Sequence, residues 1–486
     1  MKKRFFLSLL AVLPLWLLAN DSIPAHRFNT ASFTPLKPFE ANGGQGVSGA
    51  FVGMVPKDFL NGQRVLVAGG CNFPETPAAD GGQKAFYTDI YALSLSATVP
   101  EASPSGSVSP SPSSSASSSL LTASSSASWQ RVGSLPCGLA YGASVTTPDG
   151  VVCLGGTADG QKSEDFAEVL TMDESWAVIS RSLPLLPVAL DNFAAAYGDG
   201  YIYVAGGQHN GIPNRKAFRL KWPLPASWFD AQTGAAWEEL PDMPGPARLQ
   251  PAATVQKGAI GSNFYLLGGY DPRYGKAVAN GAYYDPRKKE WFATSLIKTL
   301  PQLLPSGRGE AGAKKASGNE SLPSRGDLEG PLALVGSSAI PSGAAHILCF
   351  GGVNKEIFES ALQRNALIAD TTTTAERLAA LREEAHAYMT QDPAWYQFRR
   401  TILVYHTVTD SWAELFDSPL IARAGAAIVP VASPTGSLSA LVIGGEEKPG
   451  VRSSDVTRVD IGYTAHFGWL NWTVLILYLL GMVYLG

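Results

Sequence analysis

Four charged side chains crowd one short loop. In GGEEKPGVR, Gly444 to Arg452, the carboxylate of Glu446, the ammonium of Lys448 and the guanidinium of Arg452 flank a Pro449-Gly450 turn. Such a turn folds the chain back, which brings Glu446 and Arg452 within reach of each other. A carboxyl group in that setting can take and return protons. A guanidinium binds carboxylates through a planar fork. A solvated ion pair on a surface hairpin would look the same in sequence. Other polar residues share the setting of this loop. Asn72, His209 and Asn354 follow Gly-Gly pairs, and Tyr141, Arg248 and Arg423 precede strands of small residues. Four Cys without a CxxC spacing give no structural zinc site.

The elements that position these residues are repeated. An apolar β-rich run closed by Gly-Gly occurs six times: VLVAGG, VVCLGG, YIYVAGG, FYLLGG, HILCFGG and ALVIGG, ending at Gly70, Gly156, Gly207, Gly269, Gly352 and Gly445. A small-residue strand such as YGASV, NFAAAY, QPAATV or RAGAAIV precedes most copies. A further strand and then a Trp-bearing one (Trp129, Trp176, Trp237, Trp291, Trp412) follow most of them. Four strands per unit with Gly-Gly closing the second is the kelch pattern, and six units predict an all-β, six-bladed propeller. The sixth copy lacks a Trp strand of its own. The segment near Phe33 to Phe39 is available to supply it and close the ring. Strands that alternate up and down put the Gly-Gly loops and the interblade loops on one face, the default place for a site on a rigid scaffold.

The units are longer than the ~50 residues of a simple kelch repeat. Residues 97–128 form a Ser/Pro-rich insertion and residues 304–330 a Gly/Ser/Lys/Glu-rich one, both read as flexible. In the third insertion, 355–398, the stretch AERLAALREEAHAYM (Ala375 to Met389) has helical period and strong helix formers. One or two helices over a propeller face are expected, either as packing or as the wall of a pocket.

Composition bounds the rest. A hydrophobic fraction of 45% excludes wholesale disorder, and a charged fraction of 16% argues against long solvated helices. A net charge of −4 leaves no basic footprint for nucleic acid. Met1 to Ala19, with Lys2, Lys3 and Arg4 before an apolar run, reads as an export signal. The expected location is therefore periplasmic or extracellular. The uncharged segment 469–486 is just long enough to span a bilayer, which predicts a membrane anchor. Four Cys in an exported chain permit two disulfides, though Cys153 and Cys349 lie in apolar runs and read as buried small side chains.

About residues 30 to 462 resemble the N-acetylneuraminate epimerases, kelch-repeat sialic acid mutarotases, and their cyclically permuted relatives most of all. Three segments carry the likeness: GGEEKPGVR (Gly444 to Arg452), FGGVNKEIF (Phe350 to Phe358), and AGGCNFP (Ala68 to Pro74) leading into FYTDIYAL (Phe86 to Leu93). The resemblance implies a cofactor-free isomerase, with Glu446 and Arg452 as its catalytic pair. Arg248, Arg423, Lys448, Asn72, Tyr141, Asn354 and His209 are the expected substrate contacts. The family's Gly-Arg-Ala-Tyr-Gly stands here as Gly138-Leu139-Ala140-Tyr141-Gly142. One arginine is therefore missing, with Arg248 and Arg423 as candidates to replace it. The segment from Phe467 onward resembles the first helix of sodium/solute symporters, which makes a linked transporter an expected partner. The alternative reading is a non-catalytic sugar-binding propeller that feeds such a transporter. A sialidase is disfavoured because its Ser-x-Asp-x-Gly-x-x-Trp repeats are absent. A copper radical oxidase is disfavoured because there are only 6 His.

Overall fold

Each apolar run that ends in Gly-Gly is the second strand of a four-stranded antiparallel sheet, and the described residues hold six such sheets. The computed structural model describes residues 28–39, 46–58, 62–95, 128–298, 332–431, 438–462 and 469–485. Blades 1 to 5 run in chain order from an inner to an outer strand, beginning at Phe51–Asp58, Ala143–Thr147, Ala194–Gly198, Ala252–Gly258 and Ser338–Ser342. Blade 6 has three strands from the C-terminal part, Ala427–Val431, Leu438–Ile443 and Val456–Gly462. Its outer strand is Thr30–Pro35, paired from Thr30↔Gly462 to Pro35↔Thr457. The closing strand is thus the one expected from the missing sixth Trp strand. Each inner strand packs beside the inner strands of both neighbouring blades, which closes the ring.

Six apolar clusters fill the interfaces, one between each pair of neighbouring blades. A sheet this narrow buries its two faces only by stacking on the next one. Phe39 illustrates the closure. It is 2% exposed, lies between blades 6 and 1, and meets Tyr91 and Trp129 edge-on at 5.3 and 5.0 Å.

The Gly-Gly pairs have one shared task. The second glycine N–H of each pair donates to a carbonyl in the lead-in of the next blade. The acceptors are Leu139, Leu190, Arg248, Leu334, Arg423 and, across the closure, Val47, at 2.7, 2.8, 2.8, 2.7, 2.9 and 3.4 Å. The first glycine takes a positive φ between 57° and 78° in all six pairs. A Cβ on it would stand 2.2 to 2.9 Å from that same carbonyl oxygen. Glycine is required there twice over, by conformation and by space.

The described residues hold four α-helices, α1 (Ala226–Ala231), α2 (Lys355–Ala369) and α3 (Ala375–Met389) between strands of the blades and α4 (Trp469–Leu485) after the last strand. Helix α3 has the bounds read from the sequence. Asn354 and Thr374 cap α2 and α3 by accepting from the N–H groups of Ile357 and Arg377. The α2–α3 pair leaves blade 5 and lies across the Gly-Gly face. On one side Glu359 of α2 accepts from Lys276 Nζ at 2.9 Å and from Ala277 N at 3.1 Å, in the blade 4 loop. On the other side α3 packs on the Ala78–Asp80 turn of blade 1.

The expected membrane-spanning segment 469–486 is not shown: no described helix is long and apolar enough to cross a membrane. Helix α4 has 17 residues, or about 26 Å at the helical rise. The sulfurs form no disulfide: Cys71, Cys137, Cys153 and Cys349 are all free, and Cys153 and Cys349 are buried in the blades. The segments read as an export signal (1–19) and a flexible insertion (304–330) lie outside the described residues, as does 97–127 of the Ser/Pro-rich insertion.

Candidate functional site

The mouth of the propeller axis is a cavity of about 520 Å³. Its floor is the lead-in to the six inner strands. Its roof is the helical insertion, through Ile357, Phe358, Ala361, Tyr388, Tyr396 and Phe398. A small apolar cluster of Tyr396, Phe398 and Ala424, flanked by Ile357 and Tyr388, fixes this roof on blade 6. The Tyr396 hydroxyl donates to the Tyr388 carbonyl. Burial pushes the Tyr388 phenol up to about 12, with Tyr396 adding to the shift, so it stays protonated. The insertion is a pocket wall as well as packing.

The Pro449-Gly450 turn makes the predicted hairpin. Glu446 and Arg452 are register partners across it, and Arg452 Nη1 lies 2.5 Å from Glu446 Oε1. The contact is an ion pair rather than an aligned hydrogen bond, because Nη1 and the buried Nε both lack a hydrogen-bond partner. Glu446 is 25% exposed and lines the cavity, whereas the Arg452 side chain is 4% exposed and stands behind it. The Glu446 carboxylate has no other side-chain partner among the described residues.

Tyr141 completes this cluster from blade 2. Its hydroxyl accepts from Lys84 Nζ at 3.0 Å, from Arg452 Nη2 at 3.3 Å and from the Cys71 thiol at 3.3 Å. Burial first, and the neighbouring Cys71 second, raise its pKa far above the usual phenol value, so it is a neutral hydroxyl. Burial lowers the Lys84 pKa below its ordinary value, and the nearby Arg452 charge adds to the effect. Lys84 and Arg452 both face Phe73, at 5.8 and 5.4 Å from its ring centre. Two cationic side chains and one carboxylate therefore meet in this cluster, a formal excess of one positive charge, with only Arg452 in contact with Glu446.

The other expected contacts divide. Asn354 lines the cavity while capping α2, and its amide N–H group reaches Gln397 Oε1 at 3.3 Å. Lys448 instead donates to the Gln391 carbonyl at 2.9 Å, tying the hairpin to the chain that follows α3. Asn72 is 1% exposed and accepts from the Tyr87 hydroxyl at 2.5 Å, while its own amide donates to Gly46 O. His209 Nδ1 meets Ala189 O at 2.8 Å, away from the cavity lining.

Arg248 and Arg423 are structural. Arg248 Nη1 donates to Gly268 O and Asn280 O, at 2.8 and 2.7 Å. Arg423 Nη1 makes the same pair of bonds to Gly444 O and Asp455 O, at 3.0 and 2.6 Å. Burial lowers each guanidinium to about 10, still charged at neutral pH. Both are the residue whose carbonyl receives the interblade Gly-Gly N–H. In the other blades that position is Val47, Leu139, Leu190 or Leu334. The arginine missing at Leu139 is therefore missing from a core position, where Leu139 is 0% exposed.

Lys84 and Cys71 were not among the expected site residues. Lys84 lies two residues before Phe86, where the third resembling segment resumes, and no motif marks it. Only the pairing of Cys71–Asn72 with Ala85–Phe86 carries it to Tyr141. Among the described residues no group of three His, Cys, Asp or Glu side chains is placed to hold a metal ion.

Comparison with known proteins points the same way as the hairpin. The sequence model of the N-acetylneuraminate epimerase family matches residues 319–477, which include blade 5, the helical insertion and the Glu446 hairpin. The N-acetylneuraminate epimerase of Yersinia enterocolitica is 26% identical over 281 residues, 56% of this chain and 56% of that protein. The Brucella melitensis epimerase is 28% identical, over 51% of this chain and 65% of its own. The Vibrio vulnificus epimerase is 24% identical, over 57% and 59%. The chain thus spans less than two thirds of the length of these relatives. The solved structure of YjhT aligns with 56% of this chain and 62% of its own at 20% identity, with a TM-score of 0.40. By sequence, the chain is similar to N-acetylneuraminate epimerases, and the span matched by the family model includes the hairpin that carries Glu446 and Arg452.

Proposed function

We propose that this propeller interconverts the α and β anomers of N-acetylneuraminate or a close relative. The observation that carries the reading is Glu446 on the cavity wall, clamped by a buried Arg452 and set beside an excess positive charge. Sialic acid is a cyclic hemiketal with a carboxylate on the anomeric carbon. Glu446 takes the proton of the anomeric hydroxyl and delivers it to the ring oxygen as that carbon–oxygen bond breaks. The open form is a ketone carrying a free hydroxyl. Rotation about the adjoining bond presents the other face, and the reverse transfer closes the ring. Arg452 is a positioning residue in this scheme, because its guanidinium sits behind Glu446 rather than on the cavity surface. Lys84 supplies the charge that favours an anionic sugar, and the neutral Tyr141 hydroxyl is held at the same wall. No step uses a cofactor.

The test is proton NMR of freshly released α-N-acetylneuraminate with and without the protein. Wild type is expected to speed the appearance of the β anomer. Glu446→Gln, which keeps the shape and removes the base, is expected to lose about a hundredfold or more of that acceleration, with affinity by calorimetry little changed. Binding without acceleration by wild type would replace the reading with a sugar-capture module.

A further inference from the structure

Six backbone positions form a ring around the axis at the cavity floor: Gly49, Tyr141, Asn192, Gln250, Gly336 and Gly425. All lie in the left-handed region, with φ of 67°, 61°, 53°, 50°, 62° and 64°. The N–H of Tyr141 donates to Gly49 O, that of Asn192 to Tyr141 O, and so on through Gln250 and Gly336 to Gly425, at 2.7 to 3.2 Å. Three blades make this ring with glycine. The ring therefore needs no side chain, and a residue with a Cβ is strained there by roughly 1 kcal/mol or more. All six positions line the cavity. The three that carry side chains are consecutive, so the floor has one polar arc and one bare arc.

The polar arc is oriented from below. Asp191 is 2% exposed and accepts from Ser163 Oγ at 2.5 Å, Gln208 Nε2 at 2.8 Å and Asn192 Nδ2 at 2.6 Å. A carboxylate that accepts from Asn192 fixes which end of that amide is nitrogen. Asn192 Oδ1 then accepts from Gln250 Nε2 at 3.1 Å. The same logic fixes the second amide, which leaves Gln250 Oε1 with no donor among the described residues. It is an oriented acceptor on the floor, across Asn192 from Tyr141 and the Lys84–Arg452 charge.

We propose that the Asn192–Gln250 amide pair is a specificity device that binds an N–H or O–H group of the sugar, remote from the carboxylate, with Gln250 as the contact and Asn192 as its positioning residue. The cavity then reads an acidic sugar at two points, by charge at the Glu446 wall and by hydrogen bond at the floor. This assignment rests on the proposed function.

Glycine fits both positions without strain, which makes the test clean. Gln250→Gly and Asn192→Gly are compared with wild type for melting midpoint, for affinity to N-acetylneuraminate by calorimetry, and for anomer exchange by NMR. The expected result is a melting midpoint within about 3 °C of wild type, with Kd and KM raised about tenfold, the scale of one lost hydrogen bond. The exchange rate at saturation should stay close to wild type. Gln250→Asn, which tolerates the left-handed backbone and shortens the reach, should weaken binding in the same direction. Unchanged affinity in these variants, in an active protein, would overturn the assignment and leave the mutarotase reading standing. A fall in melting midpoint that tracks the loss of binding would also overturn it, since the pair would then belong to the fold. A wild type that neither binds nor accelerates exchange would overturn both readings.

Discussion

At the residue scale, two arginines that sequence logic would send to an anion prove to be backbone clamps. What separates them from Arg452 is the partner each one meets. Arg248 and Arg423 are buried and end on main-chain carbonyls, which need a donor where they are buried. Arg452 ends on a carboxylate and a phenol at the cavity wall. Lys84 gives this wall a measurable pH signature. Burial lowers its pKa, so between that lowered value and the ordinary 10.5 the unfolded chain holds more protons than the folded one. Stability contributed through Lys84 therefore rises with pH across that window. Urea midpoints measured from neutral pH up to 10.5 should show the rise in wild type relative to Lys84→Met. Parallel curves for the two proteins would mean that Lys84 is not buried as a cation.

At the element scale, the Gly-Gly staple is the unit that repeats, and two of its consequences can be separated by mutation. Gly351 and Gly343 both have positive φ, 65° and 54°. A Cβ on Gly351 would stand 2.2 Å from Arg423 O, whereas a Cβ on Gly343 meets nothing within 4 Å. Gly343→Ala thus carries backbone strain alone, about 1 kcal/mol. Gly351→Ala adds the collision with the next blade and should cost about 3 kcal/mol or more. Denaturant midpoints decide it, and equal losses would show that conformation alone, not the interblade approach, demands glycine. The helical insertion follows a different logic. Its helices are capped and held at both flanks, by Glu359 to the blade 4 loop and by α3 on the blade 1 turn. The roof is therefore built as a fixed wall.

At the scale of the whole molecule, the ring is closed by a strand that belongs to the far end of the sequence. Thr30–Pro35 supplies the outer edge of blade 6, and Phe39 plugs the seam between blades 6 and 1. Deleting residues 28–39 should bare the edge of Val456–Gly462 and open that seam. The melting midpoint should fall by about 10 °C or more and self-association should appear. A truncated chain that melts like the full one would mean that closure rests on the inner strands alone. Helix α4 stands apart from this ring. Its described side chains are almost all exposed, among them Leu477, Leu479 and Leu480 at 62%, 52% and 60%. It is therefore not an apolar tail folded onto the propeller.

Much of this was written in the chain order itself. Repeated Gly-Gly runs fix the blades, because only a strand that must turn under a neighbour's carbonyl needs two glycines at its end. The Pro449-Gly450 turn fixes the meeting of Glu446 with Arg452, since a hairpin register is a local matter. The helix over Ala375–Met389 follows from local propensity. Contacts between one blade and the next are set by none of these. Lys84 reaches Tyr141 across 57 residues, and Asn192 meets Gln250 across 58. In sequence, Arg248, Arg423 and Arg452 are three arginines beside three loops. Which of them faces a cavity and which faces a carbonyl is decided by ring closure, because only the packed blades determine where water is excluded.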